Sequence, residues 1–115
     1  MIFLPLFVVA LIAAQAKGEV IETMPHGPYE CTLPGDAAGP AVIPQPEASF
    51  TVTRASRYRT AAGRGTYLLK NDVLTFSGGP KNGERLKRTG TNELRALNAD
   101  GSIGRMICVR VGTNY

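Results

Sequence analysis

The chain has 115 residues, which leaves room for one domain. Thirteen Lys and Arg against nine Asp and Glu give a net charge of +4, and all of these charges lie after residue 16. A single histidine, His26, and two cysteines, Cys31 and Cys108, neither within a CxxC, argue against a multi-ligand metal site or a thiol nucleophile.

The chain opens with "MIFLPLFVVALIAAQA", an apolar run that ends in Ala14-Gln15-Ala16, the small-x-small pattern cut by signal peptidases. Residues 1–16 are read as a signal-peptide helix cleaved before Lys17, which predicts a periplasmic or secreted protein. The segment has no Lys or Arg at its front, so a retained membrane anchor is the rival reading. Its unbroken apolar stretch is shorter than the roughly 20 residues that a spanning helix needs, so no stable span is expected after cleavage.

Residues 17–28, "KGEVIETMPHGP", have no periodicity and read as a flexible lead-in to a β-domain over 29–115. "YECTL" alternates and predicts a first strand ended by Pro34-Gly35. The proline-rich "PGDAAGPAVIPQPEA" excludes a helix or a central strand and predicts a long loop or surface flap over residues 34–46. From Ser49 onward, β-branched and aromatic runs alternate with Gly, Asn and Asp at the spacing of an antiparallel meander.

Within the meander, arginines gather in "TRASRYRTAAGR", at Arg54, Arg57, Arg59 and Arg64. These four are the candidate anion- or partner-binding residues, set against the plain alternative of a solvated face. Next, "GTYLLKNDVLTF" predicts a hairpin with Asn71-Asp72 as its two-residue loop. Tyr67 then faces Phe76 and Leu69 faces Leu74 on one apolar side, leaving Leu68, Lys70, Val73 and Thr75 on the other. "GGPKNG" has the glycine spacing of a phosphate-binding loop, but Glu84 and Arg85 follow it where Lys and Ser/Thr are required. Its Pro80 and Gly83 fit turn chemistry instead.

Two further hairpins are predicted, with turns at Gly90 to Asn92 and at Asn98 to Gly101. In the last strand Met106, Cys108 and Arg110 share one parity, while Ile103, Ile107, Val109 and Val111 share the other. Outside the cytosol, Cys31 and Cys108 are expected to form a disulfide that ties the first strand to the last. The predicted fold is all-β, a small antiparallel meander of about six to eight short strands closed as a barrel or a sandwich.

Catalysis finds little support: no nucleophile elbow surrounds Ser49, Ser56, Ser77 or Ser102, and the carboxylates are scattered. The expectation is a monomeric, non-catalytic exported domain with no cofactor and no metal, binding an anionic envelope component or another protein. The alternative is a protease inhibitor that inserts its proline-rich flap or lead-in into a protease cleft. A basic barrel that binds nucleic acid, with Tyr58 or Tyr67 stacking on bases, is the third reading, and export argues against it.

"YECTLPGDAAGP", followed by "GTYLL", "GGPKNG" and a terminal "CVR", resembles a group of short exported proteins of sphingomonad-type bacteria. The resemblance covers most of the chain after residue 16. Because its shared residues are turns, strand ends and cysteines, it implies architecture rather than activity.

Overall fold

A computed structural model describes residues 21–35, 38–39 and 41–112. The signal-peptide reading of residues 1–16 lies outside the described residues. The ten strands are β1 (Ile21–Glu22), β2 (Gly27–Pro34), β3 (Val42–Pro44), β4 (Phe50–Arg54), β5 (Arg57–Thr60), β6 (Gly63–Lys70), β7 (Val73–Phe76), β8 (Arg85–Gly90), β9 (Glu93–Leu97) and β10 (Ile103–Arg110).

Eight of them close an antiparallel barrel in the order β2-β4-β5-β6-β7-β8-β9-β10, with β10 returning to β2. The predicted fold class is therefore observed, and the closed form is the barrel rather than the sandwich. Two short strands lie outside the ring. β1 pairs with the end of β6, and β3 pairs with the end of β2. The proline-rich flap thus includes an edge strand, where proline's missing N–H costs no central ladder bond.

The hairpin 67–76 has the register expected from its alternation, with Tyr67 opposite Phe76, Leu68 opposite Thr75, Leu69 opposite Leu74 and Lys70 opposite Val73. Asn71 and Asp72 take φ of 53° and 67°, the left-handed pair that matches the twist of the flanking strands. Tyr67, Leu69, Leu74 and Phe76 point inward and are buried, whereas Leu68 remains 40% exposed on the outer surface.

An eight-stranded barrel has an interior just wide enough for side chains to fill, and aromatic rings fill much of this one. Tyr29 stacks on Phe50 with centroids 5.3 Å apart, Phe50 meets Phe76 edge-on at 5.2 Å, and Tyr58 lies 4.6 Å from Phe76. Cys31 and Cys108 sit opposite one another on β2 and β10 and form the expected disulfide across the seam that closes the ring. In β10 the inward positions are Cys108 and the half-buried Met106. The larger aliphatics Ile103 and Val109 face outward.

Both ends of the barrel are closed by segments that the sequence presents as connections. At one end Met24, 1% exposed, fills the space beneath β1, and its N–H donates to the Tyr67 hydroxyl at 2.9 Å. The Tyr29 hydroxyl donates to the Pro25 carbonyl at 2.7 Å, and Arg88 holds β1 in place by bonding both Glu22 and Asp72. The flexible lead-in expected over 17–28 is corrected here: from Ile21 onward it belongs to the domain, which does not begin at residue 29. The reason is tertiary, since Met24 has no periodic neighbours and is buried only because the barrel leaves an opening for it.

At the other end the loop 77–84 folds over the rings. Lys81 is only 6% exposed, with its ammonium 5.4 Å from the Phe76 centroid and 3.0 Å from Glu84 Oε1. Gly65 and Gly79 permit this approach. A Cβ on Gly65 would stand 2.1 Å from the Gly78 carbonyl oxygen, and one on Gly79 would stand 2.5 Å from that of Arg64.

Candidate anion-binding face

The loop "GGPKNG" is a turn and not a cradle for an anion, because the N–H groups from Lys81 to Gly83, and that of Glu84 after it, are used internally. Lys81 N–H donates to the Tyr58 hydroxyl, Asn82 N–H to the Gly79 carbonyl, Gly83 N–H to Phe76 and Glu84 N–H to Lys81. The lysine of the motif points inward onto the Phe76 ring and pairs with Glu84, so the cation a phosphate loop would offer is turned away from solvent.

The four candidate arginines do come together, on the outer wall formed by β4, β5 and β6. Arg59 lies directly opposite Arg64, and Arg54 lies opposite Arg57 across the tight turn at Ala55-Ser56. Arg57 is in turn opposite Thr66, so the arginines and two threonines share one surface. Arg54, Arg57, Arg59 and Arg64 are all exposed, and with Thr53 and Thr66 they line an open cleft of about 450 Å³.

Directly opposed like charges normally destabilise a sheet, each pair costing roughly 0.2–1 kcal/mol. Two such pairs occur here side by side, and none of the four arginines has an ion-pair partner among the described residues. The sequence shows why no carboxylate relieves them. Residues 50–70 contain four arginines, one lysine and no Asp or Glu, so the rest of the chain is net −1 while these three strands carry +5. The basic charge of the protein is a property of one wall.

Three other arginines are occupied elsewhere. Arg88 binds Asp72 through Nε at 2.9 Å as well as Glu22, and these contacts raise its pKa further above the ordinary guanidinium range. Arg95 pairs with Glu93 at 3.7 Å, and the Arg110 guanidinium donates to the His26 carbonyl. The basic residues Arg85, Lys87 and Arg88 lie on β8, separated from β6 by β7, and do not join the arginine wall.

Tyr58 and Tyr67 are unavailable for base stacking. Both are at most 2% exposed with their rings in the barrel, the Tyr58 hydroxyl donating to the Gly78 carbonyl and that of Tyr67 to the Ala55 carbonyl. Parity explains the correction: on β5 and β6 each tyrosine alternates with an outward arginine or threonine, so the aromatic and basic residues of one strand face opposite sides. Desolvation by burial lifts the Tyr29 hydroxyl to about 12 and raises that of Tyr67 in the same direction.

The described residues contain no group of three His, Cys, Asp or Glu able to hold a metal ion, and no helix among them is long and apolar enough to cross a membrane. Sequence reasoning located the arginines and placed Leu68 on the outer face, but it did not identify Ile21, which the pairing of β6 with β1 sets beside the wall. The hairpin alternation was the signal for Leu68, whereas nothing local marked Ile21. No protein-family model, curated protein or solved structure matches the chain.

Proposed function

We propose that the protein is a non-catalytic exported binding module whose β4–β6 wall receives an anionic partner. The observation supporting this reading is the pair of unrelieved arginine oppositions, Arg59 with Arg64 and Arg54 with Arg57, on a wall free of carboxylates. Guanidinium groups in this array present forked donors suited to phosphate, sulfate or carboxylate groups. A bound anion would relieve the repulsion that the free sheet carries. The filled interior agrees with binding on the outside of the barrel, because the space that a ligand-carrying barrel would leave open is occupied by Tyr29, Phe50, Tyr58 and Phe76. The disulfide fits an oxidising compartment outside the cytosol.

The test is binding of fluorescent dextran sulfate, followed by anisotropy at rising salt, with the wild type and an Arg57→Gln/Arg59→Gln/Arg64→Gln variant. The wild type is expected to bind with an affinity that falls as salt rises. The variant should lose most of that binding, while Arg85→Gln/Lys87→Gln on β8 should retain it. Equal binding by wild type and the triple variant would overturn the assignment.

A further inference from the structure

The outer row of β6 reads Arg64, Thr66, Leu68, Lys70, so the strand that carries the basic charge also carries an exposed leucine between its cations. Along the β6 edge, β5 pairs with residues 63–66 and β1 then takes its place beside residues 69 and 70. Ile21, opposite Lys70, thereby continues the row begun by Arg59 and Arg57. It is 62% exposed, the most exposed of the large aliphatics among the described residues. Residues diagonal across a ladder lie about 7–8 Å apart, which places Leu68 between Arg57 on one side and Ile21 on the other.

The wall is thus amphipathic as well as basic, with two protruding aliphatic side chains bordered by guanidinium and ammonium groups. A soluble polyanion would use only the charges. The surface of an anionic bilayer would use both, since its headgroups meet the cations while aliphatic side chains enter the headgroup and acyl boundary. The chain beyond the described residues supports the same occupant. Ile21 is where the polypeptide continues into residues 1–20, with Lys17 four positions away and the apolar run of residues 1–16 before it. Whether that segment is retained or cleaved, the chain enters the barrel at this wall, through Ile21 on β1.

We infer that the β4–β6 wall docks on an anionic lipid surface, with Leu68 and Ile21 inserted and the four arginines on headgroup phosphates. This rests on the anion-binding reading above and narrows it to one partner. The barrel supplies an internal control. β10 is four strands from β6 in either direction around the ring, so Val109, 41% exposed, lies on the far wall.

The sequence has no tryptophan, so Leu68→Trp and Val109→Trp each create a sole reporter in the full-length chain. Ile21→Trp serves as a second reporter on the docking wall should Leu68→Trp perturb folding, which circular dichroism would show. With phosphatidylglycerol vesicles, Leu68→Trp emission should shift to the blue and be quenched by brominated acyl chains. Val109→Trp should do neither, and phosphatidylcholine vesicles should give no shift at Leu68→Trp. Replacing Leu68 and Ile21 together by Ser should weaken phosphatidylglycerol binding about tenfold or more and leave dextran sulfate binding unchanged.

If dextran sulfate binds and the wall reporters stay silent on phosphatidylglycerol, or shift no more than Val109→Trp, the lipid inference is overturned while the anion reading stands. If neither dextran sulfate nor phosphatidylglycerol binds, both fail.

Discussion

The disulfide across the β2–β10 seam offers the largest single perturbation. Cys31 and Cys108 are separated by 77 residues, and a bridge over that interval removes about 4.5 kcal/mol of loop entropy from the unfolded chain. Both half-cystines are 1% exposed, so Cys31→Ala/Cys108→Ala also leaves a small void worth about 1 kcal/mol. The four paired positions from Tyr29 to Thr32 with Ile107 to Arg110 still hold the seam, but those contacts form only once the chain ends have met. A loss of about 5 kcal/mol is comparable to the whole stability of a small domain. At about 4–8 °C per kcal/mol it predicts a fall in Tm of about 20–40 °C. Calorimetry of the oxidised protein, the reduced protein and the double alanine variant measures this directly. The last two should melt within a few degrees of each other, with amides of β2 and β10 exchanging first. If oxidised and reduced forms melt at the same temperature, the seam does not govern barrel stability and this reasoning fails.

Gly65→Ala should cost about 3 kcal/mol by urea denaturation, because the new methyl would meet the Gly78 carbonyl at 2.1 Å and the Tyr58 ring at 2.7 Å; Gly112→Ala, with open space around it, should be neutral. Ala55→Gly should stabilise the protein by about 0.5–1 kcal/mol, since Ala55 sits at φ 45° in the β4–β5 turn, where a side chain is strained. High pH should unfold the barrel. An unfolded tyrosine ionises near 10 whereas Tyr29 holds its proton to about 12 and Tyr67 is raised in the same direction, so the stabilisation is complete below pH 10 and declines between 10 and 12, by about 2–3 kcal/mol from Tyr29 alone. A stability curve flat across that window would contradict the burial of the Tyr29 hydroxyl. Arg88→Ala should cost about 1–2 kcal/mol and expose the chain before Met24 to limited proteolysis, because Arg88 ties Glu22 of β1 to Asp72 of the β6–β7 hairpin.

Short-range rules alone determined a good part of this molecule. The hairpin 67–76 was legible down to its register, since strict alternation assigns each side chain to a face and Asn71-Asp72 accepts the positive φ its turn requires. The turn at Gly79 to Gly83 followed from its proline and from the absence of the motif residues a phosphate loop needs. Two cysteines, read together with the expectation of export, sufficed to propose the bridge. Tertiary structure alone decided the closure. Barrel and sandwich share the same strands and differ in how the sheet coils until β2 meets β10, which depends on the register shifts in β4, β8 and β10. It also decided what closes the ends. Met24 and Lys81 look like lead-in and turn residues because no periodicity surrounds them, and they are buried because the aromatic interior leaves two openings that the nearest segments fill. The binding wall divides in the same way. That Arg54, Arg57, Arg59 and Arg64 cluster is visible in the chain, but Arg59 opposing Arg64 and Ile21 lying beside Leu68 and Lys70 are consequences of strand pairing, which joins residues that local sequence cannot relate.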